Sequence, residues 1–144
     1  MILLDANIFL RALTITDDPE LERMCGIGSE LFRDIEAGEV EAMVSEAVLA
    51  EVAFVLTARA HYGLPVAEAA GMLAGLVQLR SLRVNDRQMV LHALALWSDR
   101  PKLGFVDALT ATQARRLNVD LATFDSDFEG IEGIRHWPGS SGER

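Results

Sequence analysis

Four carboxylates in this chain fall at the ends of apolar runs or inside one. Asp5 ends Ile2-Leu3-Leu4, Asp107 follows Gly104-Phe105-Val106, and Asp125 opens Asp125-Ser126-Asp127 after another apolar segment. Glu51 lies three residues after Val48 and four before Val55, within an apolar helical stripe, so it is expected to face inward. An inward carboxylate needs a cation, a hydrogen-bonding partner or a shifted pKa. Several ionised acids at one place repel one another, and divalent cations offset that repulsion. Oxygen donors alone select hard ions, Mg²⁺ or Mn²⁺, over zinc or copper. Such ions activate a water for in-line attack on a phosphodiester and stabilise the leaving oxygen.

Each acid also has a plain structural role open to it. Aspartate is a favoured helix N-cap, which suits Asp5. Asp107 can cap a helix or supply a favourable charge in its first turn. Asp125 and Asp127 fit an ordinary turn. Glu51 can reach solvent from the stripe's edge or pair with Arg11 or Arg59. These roles leave one feature unexplained: three junctions and one helical face all direct acids toward one edge of a sheet.

The elements that must position them follow from hydrophobic periodicity. Short apolar runs at Ile2–Leu4, Val40–Ser45, Leu82–Val84, Val119–Thr123 and Gly133–Trp137 read as five strands. Helical patterns lie between them: one from Asp5, one from Glu20 to Ala37 closed by Gly38, and one from Glu46 to Ala60 stopped by Gly63. Pro65 suits the first turn of the next, Asn85-Asp86 offers caps for a helix ending before Pro101, and Val106 to Leu117 forms the last. Strands alternating with helices predict an α/β fold, a three-layer sandwich with a mostly parallel central sheet flanked by helices. A single domain is expected over 1–138, with 139–144 as a flexible tail. Ligands of such sheets gather beyond the carboxyl ends of the strands, where Asp5 and Asp125 fall.

Composition narrows the classes. The chain has 144 residues, 50% hydrophobic and 24% charged, which is ordinary for a soluble globular domain. No apolar stretch reaches the roughly 20 residues of a membrane span. Asp5 stands where a secretory leader would continue its apolar run, so the reading is an intracellular, cytoplasmic protein. Cys25 is the lone cysteine and reads as a packed small residue. His61, His92 and His136 lack zinc-ligand spacing. A net charge of −9 is unlike the broad basic surface that usually holds nucleic acid.

Taken as an ordered set, Leu3-Leu4-Asp5-Ala6-Asn7, Ser45 with Glu51-Val52, Phe105-Val106-Asp107-Ala108 and Thr123-Phe124-Asp125-Ser126-Asp127-Phe128 resemble the PIN-domain ribonucleases. Within them the likeness is to the VapC-type toxins of toxin–antitoxin pairs, and it runs from Met1 to about Trp137. The resemblance implies metal coordination centred on Asp5 and Asp107, completed by Glu51 and Asp125, with Asn7, Thr123 and Asp127 as secondary candidates. It implies an RNA substrate, a homodimer, and a small antitoxin that obstructs the site. Many relatives carry a basic residue where this chain has Ser126. With the acidic balance, that leaves RNA contact to the metals or to Arg11, Arg59, Lys102, Arg115 and Arg116.

Two other classes compete. A catalytically silent PIN-like interaction module would usually have lost the acids that are intact here. An aspartate-nucleophile phosphatase would want an acid two residues after Asp5, where Asn7 stands, and a lysine near the later acids, and none is expected near Asp107 or Asp125.

Overall fold

A computed structural model describes residues 1–139. In chain order the elements are β1 (Ile2–Leu3), α1 (Ala6–Leu13), α2 (Pro19–Glu36), β2 (Ala42–Val44), α3 (Glu46–Thr57), α4 (Val66–Val77), β3 (Leu82–Val84), α5 (Arg87–Asp99), α6 (Phe105–Leu117), β4 (Leu121–Ala122) and β5 (His136–Trp137). A 3-10 turn, Ser126–Phe128, lies between the last two strands. The expected tail falls outside the described residues except for Gly139.

All strand pairing is parallel, as the alternation of strands and helices predicts. The hydrogen-bonded ladders form two groups, β1-β2-β3 and β4-β5, where one central sheet was expected. In the first, Leu3 aligns with Met43 and Met43 with Arg83, so the chain leaves all three strands at one edge. Asp5, Ser45 and Asp86 stand at that edge. Strands of two or three residues make few ladder bonds, so the packed helices carry much of the cohesion.

The helix ends obey local chemistry. Ser45 caps α3 by accepting from the Val48 amide at 3.2 Å, and Asp86 caps α5 through the Met89 amide at 3.1 Å. Asp18 caps α2 with Pro19 at its first position. Gly38 and Gly63 adopt the positive φ of chain reversal, at 78° and 58°. Pro65 is the N-cap of α4 and not its first-turn residue, with the extended backbone that proline favours outside a helix.

A main core of Phe9, Ile35, Leu49, Val52, Leu56, Leu73, Val77, Leu82 and Val90 joins the sheet to α1–α5, and Phe105 and Ala108 extend it onto α6. The far side of α6 contributes Ala111 and Ala114 to a second cluster with Leu103, Leu121, Phe128 and Ile131. Thus α6 is the seam between the two strand groups, and its small residues allow that approach.

Gly28 marks a close approach of α1 and α2. A Cβ there would stand 3.2 Å from both the Ala12 nitrogen and the Ile8 oxygen, which are backbone atoms and cannot swing aside. Gly28→Val is therefore expected to lower stability by about 1–3 kcal/mol, read as a drop in the urea midpoint. A midpoint equal to wild type would show that the two helices separate freely.

Candidate functional site

Asp5 leaves the end of β1 between Leu4 and Ala6, which are only 2% and 3% exposed. It occupies the N-cap position of α1 in extended backbone, yet its side chain makes no capping bond. Its carboxylate is exposed to solvent, as is Asn7 one step into the helix.

Glu51 does not face inward. The buried arc of α3 is Leu49, Val52, Ala53 and Leu56, and Val48 and Val55 are half-buried at its margin. A stripe drawn through those two valines is displaced from the true centre, so Glu51 emerges exposed beside the core. Ion pairs with Arg11 or Arg59 are not formed. The ion pairs among the described residues join Arg83 to Glu41, Arg116 to Asp86 and Arg135 to Asp120. Arg11 lies 3.5 Å from the Tyr62 hydroxyl, to which it donates, and Arg59 is exposed.

Asp107 is half-buried in the first turn of α6, whose N-cap is Gly104. Its charge complements the positive end of that helix. It lines a cleft of about 370 Å³ with Lys102, Gly104, Trp97 and Phe54. Phe54, 67% exposed, was not singled out from the sequence; it follows Glu51 by one helical turn, and its apolar character gives no sign that it lies off the core.

Asp125 realises the turn role. Its Oδ1 accepts from the Asp127 amide at 2.9 Å, and its own amide donates to Thr123 Oγ1 at 3.0 Å. Asp127 lines a second cleft with Asp99, Arg100 and Lys102, so Lys102 stands between the Asp107 cleft and the 3-10 turn, and the expectation of no lysine near the later acids does not hold because the loop before α6 brings it there. Arg100, also unanticipated, pins that turn by donating to the Glu129 carbonyl at 2.8 Å. Arg115 and Arg116 end α6 and line a separate cleft between α5 and α6.

The helix α3 packs against both α1 and α6, so the elements bearing Asp5, Glu51 and Asp107 are neighbours. The donor chemistry, oxygen only and with Asp5 uncommitted to its cap, suits a hard divalent ion. As the side chains stand, no three His, Cys, Asp or Glu among the described residues converge into a group able to hold one. Asp5, Glu51 and Asp107 thus stand on elements packed around α3 without their side chains converging.

The PIN-domain family matches residues 2–134, and the chain belongs to that family. Its members are generally nucleases, hydrolases of phosphodiester bonds that typically use divalent metals. No curated protein matches the chain. Among the described residues no helix is long and apolar enough to cross a membrane.

Proposed function

We propose that the chain is a metal-dependent endoribonuclease acting at Asp5, Glu51 and Asp107, with Asp125 supplementing them, and that it serves as the toxin of a toxin–antitoxin pair. The observation that carries the nuclease reading is that Asp107 and Lys102 line one cleft at the start of a helix packed on α3, which bears Glu51, while Asp5 heads the other helix packed on α3 and caps nothing. Asp5, Glu51 and Asp107 would hold Mg²⁺ or Mn²⁺, which when bound supplies an activated water and charge stabilisation. Lys102 offers a phosphate contact, and the exposed Phe54 ring offers a face on which an unpaired base stacks. Asn7, exposed in the first turn of α1 two residues after Asp5, is a secondary neutral hydrogen-bonding group. Thr123 and Asp127 hold the turn that presents Asp125.

Partner binding draws on exposed apolar side chains. Met24 and Ile27 on α2 are 38% and 52% exposed. A groove of about 380 Å³ lined by Ala12, Leu13, Phe32 and Leu76 runs beside that helix. This surface suits an amphipathic antitoxin helix.

Cleavage of single-stranded RNA is expected with Mg²⁺ or Mn²⁺ and is expected to stop with EDTA, followed on a labelled oligonucleotide. Undiminished cleavage in EDTA removes the metal from the reaction. An absence of cleavage under both conditions favours the silent interaction module.

A further inference from the structure

On the face of the molecule formed by α5 and α6, a cleft of about 270 Å³ is lined by Gln88, His92, Thr112, Arg115 and Arg116. In a chain with 22 acids against 13 lysines and arginines, this lining contains no carboxylate. Thr112 is 2% exposed, and its Oγ1 has no hydrogen-bond partner among the described residues. A helical threonine ordinarily satisfies its hydroxyl on the carbonyl four residues back, as Thr110 does with Val106 at 2.9 Å. Thr112 forgoes that bond, so a residue that lines the cleft keeps a buried, unpaired hydroxyl, a state that costs stability unless something completes it.

The surrounding groups are arranged for an anion. Gln88 lies in the first turn of α5, whose N-terminus the Asp86 carboxylate already caps, so its contribution to the cleft is its side-chain amide. Arg115 runs its stem past Gly133, where a Cβ would stand 2.9 Å from the arginine Cδ, and one of its N–H groups donates to the Glu132 carbonyl at 3.3 Å. That single bond holds the guanidinium while leaving further donors on its fork. Arg116 is engaged with Asp86 at 3.0 Å, which leaves Arg115 as the cleft's arginine without an ion pair among the described residues. Arginines in the last turn of α6 also complement that helix's negative end, which accounts for their charge but not for the orphaned hydroxyl.

We propose that this cleft binds a phosphate group, with Arg115 as its main cation, Gln88 and His92 as rim donors and the Thr112 hydroxyl as the inner donor. The site is separate from the acids and does not rest on the nuclease reading. Phosphate as a free ion and phosphate within an RNA backbone share this chemistry.

The test uses the full chain in EDTA at constant ionic strength. Inorganic phosphate is titrated by calorimetry, and a labelled oligoribonucleotide lacking terminal phosphates by fluorescence anisotropy. Thr112→Val removes an unpartnered hydroxyl, so it is expected to melt at or above the wild-type temperature while binding phosphate about three- to tenfold more weakly. His92→Glu, at an exposed position, is expected to reduce binding further by placing an anion at the rim. Parallel loss in both titrations assigns the cleft to RNA backbone, and loss for inorganic phosphate alone assigns it to the free ion; either supports the proposal. Wild type that binds neither probe, or variants that bind both as wild type does, overturns it.

Discussion

Asp107→Asn is expected to lower RNA cleavage by at least about 10²-fold, the scale on which ligand-shell changes act, while leaving the metal-free fold nearly unchanged. Asp107 sits in the first turn of α6, so losing its charge removes a favourable helix-end interaction of about 0.3–1 kcal/mol. Relief of repulsion does not offset that loss, because among the described residues no group of three acids converges at Asp107. Asp5→Asn should be closer to neutral, since Asp5 makes no capping bond to lose and asparagine occupies N-cap positions equally well. The distinguishing readout is the stabilisation conferred by added metal. An ion at a hundred times its dissociation constant adds about 2.7 kcal/mol to the wild type, roughly 10 °C in melting temperature for a domain of this size. Both Asn variants should show a smaller shift in Mn²⁺ and little or no cleavage. Equal shifts in wild type and variants, with cleavage retained, would return both residues to purely structural roles.

The contrast among the four acids shows what a linear sequence discloses. Ser45, Asp86 and Gly38 act where their types predict, because capping and chain reversal depend on a few consecutive residues. The strands and helices fall close to their expected places for the same reason. Asp125 was equally legible as a turn residue, and its bond to the Asp127 amide is that turn. Glu51 misled because Val48 and Val55 are apolar but only half-buried. Periodicity gives the existence of a stripe but not its centre, and a rotation of part of a turn moves a glutamate from core to surface. Phe54 was missed by the same ambiguity, since an exposed aromatic and a buried one look alike in a run of apolar residues. The division into two strand ladders was hidden because it depends on how α6 packs on both sides, a matter of contacts between distant segments. Arg100 and the Thr112 cleft are likewise tertiary features: their meaning comes from the Glu129 carbonyl and from α5, not from adjacent residues.

The position of Asp107 depends in turn on packing beneath it, which makes Trp97 the residue where stability and function meet. Trp97 is 2% exposed and lies at 5.6 Å, tilted by 58°, from Phe105, the first residue of α6. The same indole lines the cleft that holds Lys102 and Asp107. Trp97→Ala is expected to cost about 3–5 kcal/mol, a large share of the roughly 5–15 kcal/mol that stabilises a typical domain. Its melting temperature should fall by roughly 10–15 °C. Trp97→Phe keeps an aromatic contact with Phe105 and should lose markedly less. At a temperature where both variants remain folded, Trp97→Ala should also cleave more slowly and gain less stability from Mn²⁺, because α6 then begins from a less defined point and Asp107 moves with it. Displacements near 1 Å at a reacting centre cost on the order of 10²-fold in rate. A destabilised Trp97→Ala protein with wild-type cleavage would show that Asp107 is positioned without the indole. A melting temperature unchanged from wild type would remove Trp97 from the core altogether.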